Sequence, residues 1–316
     1  MKILYIDAGN RLSEEYTYRY YGDLYRELKK KESVTEYQGI PKNINSLISG
    51  ENYDCIIFGL GYFAQRDLTA YNEIQGLKEC KVPTIAMLHK QQILLKEKLK
   101  FCKTNKIDML FNPHITYKKF GQILNIKSSR FWFSADPNIF YDRKIEKKYD
   151  VGFCGASHGN GKIKGETADL RDRIYDKLKN KNIEIFWNRQ TSPSHRISSI
   201  EEYASKINQS KIWIATTGPL LDVSPRYFEV ILSKTLLFCN KMPHEYEGMF
   251  IDGVNCVMYE NDLSDFEEKL NFYLTNVENR DKIIENAYND FIENHTNEHM
   301  CKDFLKKVKL IKKGEL

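Results

Sequence analysis

Residues 211–240 read KIWIATTGPLLDVSPRYFEVILSKTLLFCN. The order is strand, loop, helix, strand. Lys211 to Ala215 is a short apolar run of buried-strand length. Thr216 to Val223 is a loop carrying Gly218 and Pro219. Ser224 is placed to cap a helix and Pro225 to open it, where its missing N–H would be unpaired in any case. Tyr227, Phe228, Val230, Ile231 and Leu232 make that helix apolar on most faces, which predicts burial. Thr235 to Cys239 is the next strand. Arg226 and Glu229 lie three apart on one helical face. Two readings fit them. One is an internal Arg–Glu pair. The other is a ligand site, in which the helix start and Arg226 take a phosphate and Glu229 accepts hydrogen bonds from the vicinal hydroxyls of a ribose.

The same alternation fills the rest of the chain. In residues 1–135, strands are expected at Ile3–Ile6, Asp54–Phe58, Thr84–Leu88, Asp108–Phe111 and Phe131–Phe133, with a Tyr-rich helix from Ser13 to Lys31. Strands separated by helices predict a parallel sheet wrapped by helices, with ligands at the carboxyl ends of the strands. Asp7, Gly59, Gly61, His89 and His114 fall at that edge. Residues 136–150 are a polar linker with no expected core. From Val151 a second series begins: a strand to Cys154, then GASHGNG (155–161), three glycines in seven residues, a spacing that brings backbone N–H groups close to an anion. A helix from Thr167 to Leu178 carries Arg171 and Arg173 near its start, and a strand from Ile183 to Trp187 leads into a polar loop at Asn188. Another strand, Asn255–Tyr259, precedes helices at 263–274, 280–292 and 296–311. The fold class is α/β: two Rossmann-like domains, 1–135 and 151–316, facing each other across a cleft, with helices at the C-terminus.

A chain of 316 residues holds two such domains. Hydrophobic content of 41% and charged content of 29% are ordinary for a globular protein. No apolar run reaches the roughly 20 residues that span a bilayer, and MKILYIDAGN reads as a first strand, not a leader. Seven scattered cysteines without a C-x-x-C pair fit reduced, buried thiols in a cytoplasmic protein and give a zinc site little support. The net charge of +5 includes lysine clusters at 29–31, 144–148 and 306–313. These read as solvated helix faces, with loose peripheral attraction to an anionic membrane or polymer as the alternative. No nucleic-acid-binding module is present.

The second half resembles the C-terminal half of GT-B glycosyltransferases, and within them the bacterial group of CgeB-like, spore-maturation proteins. The resemblance rests on GFCGASHGN (152–160) followed by an Arg-bearing helix, SPRYFEVILSKTLLFCN (224–240), EGMFIDGVNCVMYEN (247–261) and NHTNEHMCKDFL (294–305). It covers roughly residues 150–310; the first half agrees only in layout. The resemblance implies a donor site for a UDP-, GDP- or TDP-sugar, with no further cofactor. Glu229 would hold the ribose. Arg226 and the helix start at Ser224 would face the diphosphate, as would Gly155 and Ser157 of the glycine loop, and Tyr227 would belong to the same donor site. Asn188 and Arg189 would meet the base, and Gly218 the transferred sugar. Where a larger retaining group has a second glutamate, eight residues before Glu229, this chain has Leu221, with Asp222 beside it.

Such a reaction needs stabilisation of the departing diphosphate and, if inverting, a base for the acceptor hydroxyl of a glycan or other surface molecule. His89 and Asp7 are the candidate bases. No Asp-x-Asp occurs, so metal-independent transfer is expected. A sugar-nucleotide epimerase of the same fold and a coat-associated structural protein are the rival readings. Two smaller patterns have plainer explanations. Gly155 to Gly159 matches GxSxG, but the glycines that follow favour a loop over the helix a nucleophile elbow needs. His295 and His299, at i, i+4 spacing, read as a helix face or a metal pair.

Overall fold

The structure is a computed structural model and describes residues 1–8, 19–156, 165, 167–189, 197 and 199–312. The chain divides into two compact units, Met1–Trp132 with Asn297–Leu316, and Phe133–Thr296. Each is built on a parallel sheet.

In the first unit the sheet order is β2–β1–β3–β4–β5–β6, with β1 (Lys2–Asp7), β2 (Ser33–Gln38), β3 (Cys55–Phe58), β4 (Thr84–Met87), β5 (Met109–Asn112) and β6 (Lys127–Arg130). Strands β3, β4 and β5 are buried at every residue. That is why they are continuous apolar runs and not alternating ones: helices or loops cover both faces of a parallel sheet. The edge strands are different. SVTEYQ of β2 and KSSR of β6 are polar because an edge strand need bury only part of itself. The sequence reading therefore passes over β2 and expects the last strand at Phe131–Phe133, whereas the structure has it at Lys127–Arg130. The helices are α1 (Asp23–Lys31), α2 (Asn45–Ile48), α3 (Leu95–Thr104) and α4 (Tyr117–Leu124). Of the helix expected from Ser13, the described part is a 3-10 turn at Arg19–Gly22 followed by α1.

In the second unit the order is β11–β10–β9–β7–β8, with β7 (Tyr149–Cys154), β8 (Ile185–Asn188), β9 (Ser210–Ala215), β10 (Leu236–Asn240) and β11 (Val257–Tyr259). Its helices are α5 (Leu170–Leu178), α6 (Ile200–Asn208), α7 (Arg226–Leu232), α8 (Phe266–Thr275) and α9 (Val277–Asn294). Leu170, Ile174 and Leu178 of α5 and Phe266 and Leu270 of α8 pack on Phe153, Ile212, Ile214, Phe238 and Val257 of the sheet. The stretch expected as a featureless linker contributes to this unit: Ile139 and Phe140 are buried, and Phe140 meets the ring of Tyr203 edge-on.

The final helix, α10 (Asn297–Lys312), belongs to the first unit, not to the second half as the sequence reading has it. Its buried stripe of Cys301, Phe304, Leu305 and Val308 finds its apolar partner there. Phe304 packs on Phe111 of β5 with ring centroids 4.6 Å apart, and Glu298 pairs with Lys31 of α1 at 3.0 Å. The break between α9 and α10 also separates His295 from His299, so their spacing is not that of one helix face. Among the described residues, no group of three or more His, Cys, Asp or Glu is placed to hold a metal, and no helix is long and apolar enough to cross a membrane. All seven cysteines are unbridged.

Both sheets share one topological feature. The first strand of each has its second strand on one side and its third on the other: β1 lies between β2 and β3, and β7 between β8 and β9. Successive crossovers leave in opposite directions at that point, which opens a crevice beyond the strand ends.

Candidate functional site

In the second unit the carboxyl ends of β7 and β9 flank that crevice, and Arg171 spans them. It stands in the first turn of α5. Its Nε donates to Thr216 Oγ1, just past β9, at 2.8 Å, and its Nη1 donates to the carbonyl of Ala156, just past β7. Arg226, at the start of α7, reaches the same place. A Cβ added at Gly155 would lie 3.2 Å from Nη2 of Arg226 and 3.4 Å from Nη1 of Arg171. Both guanidinium groups also lie near the Phe153 ring, 5.9 and 5.7 Å from its centroid. Two cations thus converge beside a glycine, where a Cβ would crowd both guanidinium groups.

The electrostatics follow from this placement. Burial, and then the Arg226 cation, lower the pKa of Arg171 to about 10. It keeps its charge at neutral pH, and its two acceptors, a hydroxyl and a carbonyl, are neutral. Like charges held together away from water are unfavourable unless an anion joins them.

The surrounding loop is held from below. Asn240, at the end of β10 and fully buried, accepts from Thr217 N (2.8 Å) and donates to Thr217 Oγ1 (3.0 Å) and Asn261 Oδ1 (2.8 Å). Thr167 Oγ1 donates to the Gly218 carbonyl at 2.8 Å, and Gly218 N donates to the Asp222 carbonyl at 2.8 Å. Within that turn Leu221 has a left-handed backbone, φ 61°. Thr216 and Gly218 are thereby fixed beside the two arginines.

Glu229 lies one turn along α7 from Arg226. No ion pair joins it to Arg226 among the described residues; its Oε2 accepts from the buried hydroxyl of Tyr203 on α6, at 3.0 Å. The sequence reading misses α6, and with it Tyr203. The signal was present: Ser199-Ile-Glu-Glu202 is a capping-box pattern, and Ser199 Oγ accepts from Glu202 N at 3.1 Å. Thr216, Asn240 and a role for Arg171 are likewise missed, because each depends on which strand ends are neighbours.

The other residues singled out from sequence are placed as follows. Ser224 does not cap α7. The helix starts at Arg226 with Pro225 in the cap position, and the buried Ser224 Oγ has no hydrogen-bond partner among the described residues. A proline already in helical geometry leaves Ser224 one residue too early to reach the free N–H groups. Tyr227 is fully buried, edge-on to Phe250. Asn188 ends β8, and its carbonyl accepts from Gly155 N at 3.0 Å. Arg189 stacks over Tyr175 at 4.5 Å and lies 3.5 Å from Asp172. Ser157 and the rest of the glycine loop, with the GxSxG pattern, lie outside the described residues.

In the first unit, Asp7 ends β1 and is fully buried; its Oδ1 accepts from Ala8 N at 2.8 Å. A Cβ at Gly59 would come within 2.6 Å of Asp7 Oδ2, so the β3 turn closes directly over that carboxylate. His89 follows β4, two strands away. Its Nε2 is 3.3 Å from the Tyr20 hydroxyl, and its ring stacks on His114 at 5.5 Å with an 8° tilt. Burial first, then Lys90, His114 and Lys98, hold its pKa well below the usual histidine range. Lys98 is itself fully buried and donates to the carbonyls of His89 and Lys90, both at 2.9 Å. The structure places Asp7 and His89 at one sheet edge, at the ends of strands separated by β3.

Residues 161–306 match the sequence model of a protein family described as glycosyl transferase-like. No curated protein matches the sequence significantly. Several solved structures match along nearly the whole chain. HepE of Anabaena, in complex with UDP-glucose, is 11% identical with a TM-score of 0.62, over 98% of this chain and 99% of that one. Sucrose-phosphate synthase of Thermosynechococcus elongatus is 7% identical with a TM-score of 0.65, over the same shares. AviGT4, a glycosyltransferase involved in avilamycin A biosynthesis, is 10% identical with a TM-score of 0.60, over 99% of this chain and 98% of that one. Two parallel sheets of like topology, matched end to end by these structures, give the chain the GT-B glycosyltransferase fold.

Proposed function

We propose that the protein is a glycosyltransferase that moves a sugar from a nucleoside-diphosphate donor to a hydroxyl acceptor on a glycan or other surface molecule. The observation that carries this reading is the convergence of Arg171 and Arg226 on Gly155 at the β7/β9 switch point. Two guanidinium groups present planar, bidentate donors to a diphosphate and remain to neutralise the charge that develops as it departs. With that cationic stabilisation supplied by side chains, the transfer is metal-independent. Glu229, oriented by Tyr203, takes the ribose hydroxyls. Asn188 and Arg189, at the end of β8, meet the base. HepE was crystallised with UDP-glucose, and also with UDP and glucose, which makes a UDP-sugar the first donor to test.

On the acceptor side the group suited to take a proton is His89. Its depressed pKa keeps the imidazole neutral at pH 7, the form a base requires. Asp7, enclosed under Gly59, serves its own turn.

A thermal-shift screen with UDP, GDP, TDP and their sugar conjugates tests the proposal, since a ligand of the native state raises Tm. One diphosphate is expected to stabilise the wild type and to lose most of that effect in Glu229→Ala. Silence from every nucleotide would overturn the donor site. Epimerised donor in the absence of any acceptor would replace transfer by epimerisation.

A further inference from the structure

Residues 90–130 hold nine lysines and one arginine against only Glu97 and Asp108, a net charge of +8, while the whole chain carries +5. The positive balance of the protein is therefore concentrated in α3, α4, β6 and their connections. We infer that the outer face of α3 and α4, continued by the edge strand β6, docks on an anionic membrane surface.

Three features favour a lipid surface as the occupant. Lys96, Lys100 and Lys103 form one stripe of α3, opposite its buried Phe101 and Cys102, and Lys118, Lys119 and Lys127 extend it on α4 and β6; all six are exposed. The two helices pack side by side, and among the described residues none of the six lysines makes an ion pair. Such a face is not an internally neutralised helix surface. Secondly, the cations are lysines. Ammonium groups on flexible stems suit a diffuse field of headgroups better than one phosphate in fixed geometry, the task for which guanidinium is built. Thirdly, Ile123 stands 57% exposed on α4 among these lysines. An apolar residue within a basic face fits the boundary between headgroups and acyl chains. Beside it, a shallow groove of about 450 Å³ is lined by Lys118, Gln122, Asn125 and Lys127, with room for a headgroup.

The surface belongs wholly to the first unit, so its test is independent of the donor reading. The full chain is sedimented with vesicles of phosphatidylcholine alone, or with a quarter phosphatidylglycerol, at low and high salt. Binding is expected only to the anionic vesicles and is expected to fall steeply with salt. In a triple variant, Lys100→Gln, Lys118→Gln and Lys119→Gln, partitioning should fall about fivefold per lysine. Ile123→Ser should weaken binding without altering its salt dependence. A control triple, Lys177→Gln, Lys179→Gln and Lys181→Gln, removes the same charge from lysines already paired with Glu267 and Asp176 and should bind as the wild type does. The inference is overturned if the vesicles do not bind or if the two triple variants behave alike. It is also overturned if a soluble polyanion such as polyphosphate binds this face while vesicles do not.

Discussion

Replacing Arg171 by methionine separates a binding residue from a structural strut, because the two roles predict opposite signs. In the ligand-free protein Arg171 is held at a cost. Its pKa of about 10 against the ordinary 12.5 corresponds to about 3 kcal/mol against the charged form. Its hydrogen bonds to Thr216 and Ala156 return about 1.5 kcal/mol each, the low end for a charged donor bonded to neutral acceptors. The two nearly cancel, and methionine keeps an unbranched aliphatic stem of similar reach. The apo Tm of Arg171→Met should therefore stay within about 3 °C of wild type. With a diphosphate bound the balance changes, since the anion compensates both arginines. Losing one charge-assisted hydrogen bond there costs about 1.5–3 kcal/mol, a roughly 10- to 150-fold weaker Kd. Calorimetric titration with the stabilising nucleoside diphosphate, alongside melting of the apo protein, measures both. An unchanged Kd, or an apo Tm lowered by roughly 8 °C or more, would show that Arg171 ties β7 to β9 and does not wait for an anion.

Other consequences can be checked in the same preparations. Tyr203→Phe removes the hydroxyl that orients Glu229 and should weaken nucleoside-diphosphate binding about fivefold, on a loss of about 1 kcal/mol; pyrophosphate, which has no ribose, should bind as before. Gly155→Ala puts a methyl 3.1 Å from the Phe153 ring and 3.2 Å from Arg226, displacing the guanidinium and lowering diphosphate affinity by about tenfold with little change in Tm. His89→Ala should reduce kcat about 100-fold or more without altering donor Kd; in the wild type the depressed histidine pKa means that the rate holds through the ordinary histidine range and falls only in more acid solution. Burial lowers the pKa of Lys98 from 10.5 to about 7, so between those values the unfolded chain binds the extra proton. Stability contributed at this site is thus lowest below pH 7 and rises as pH approaches 10.5. Because its two carbonyl acceptors favour the ammonium, the gain of wild type over Lys98→Met between pH 7 and 10 is put at about 2 kcal/mol, measured by denaturant titration.

The class of fold and the location of the central strands can be read from the amino-acid sequence. Strands buried on both faces leave unbroken apolar runs, and the residues at their carboxyl ends, Asp7, His89, Gly155 and Gly218, were legible from those runs alone. Strands and segments that bury little, or bury themselves late, were not. SVTEYQ and KSSR carry no periodic signal, because an edge strand is specified by its neighbour's free N–H and C=O groups and not by its own side chains. The buried stripe of α10 announced a helix without saying which unit would cover it. The donor-side chemistry divides in the same way. Arg226 and Glu229 stand out locally, three apart on one helix. Arg171, Thr216, Tyr203 and Asn240 acquire meaning only when the sheet order sets β7 beside β9 and α6 beside α7. Hydrophobic pattern is a property of neighbouring residues along the chain. The meeting of two like charges at one glycine is a property of strand order, which residues far apart in sequence decide together.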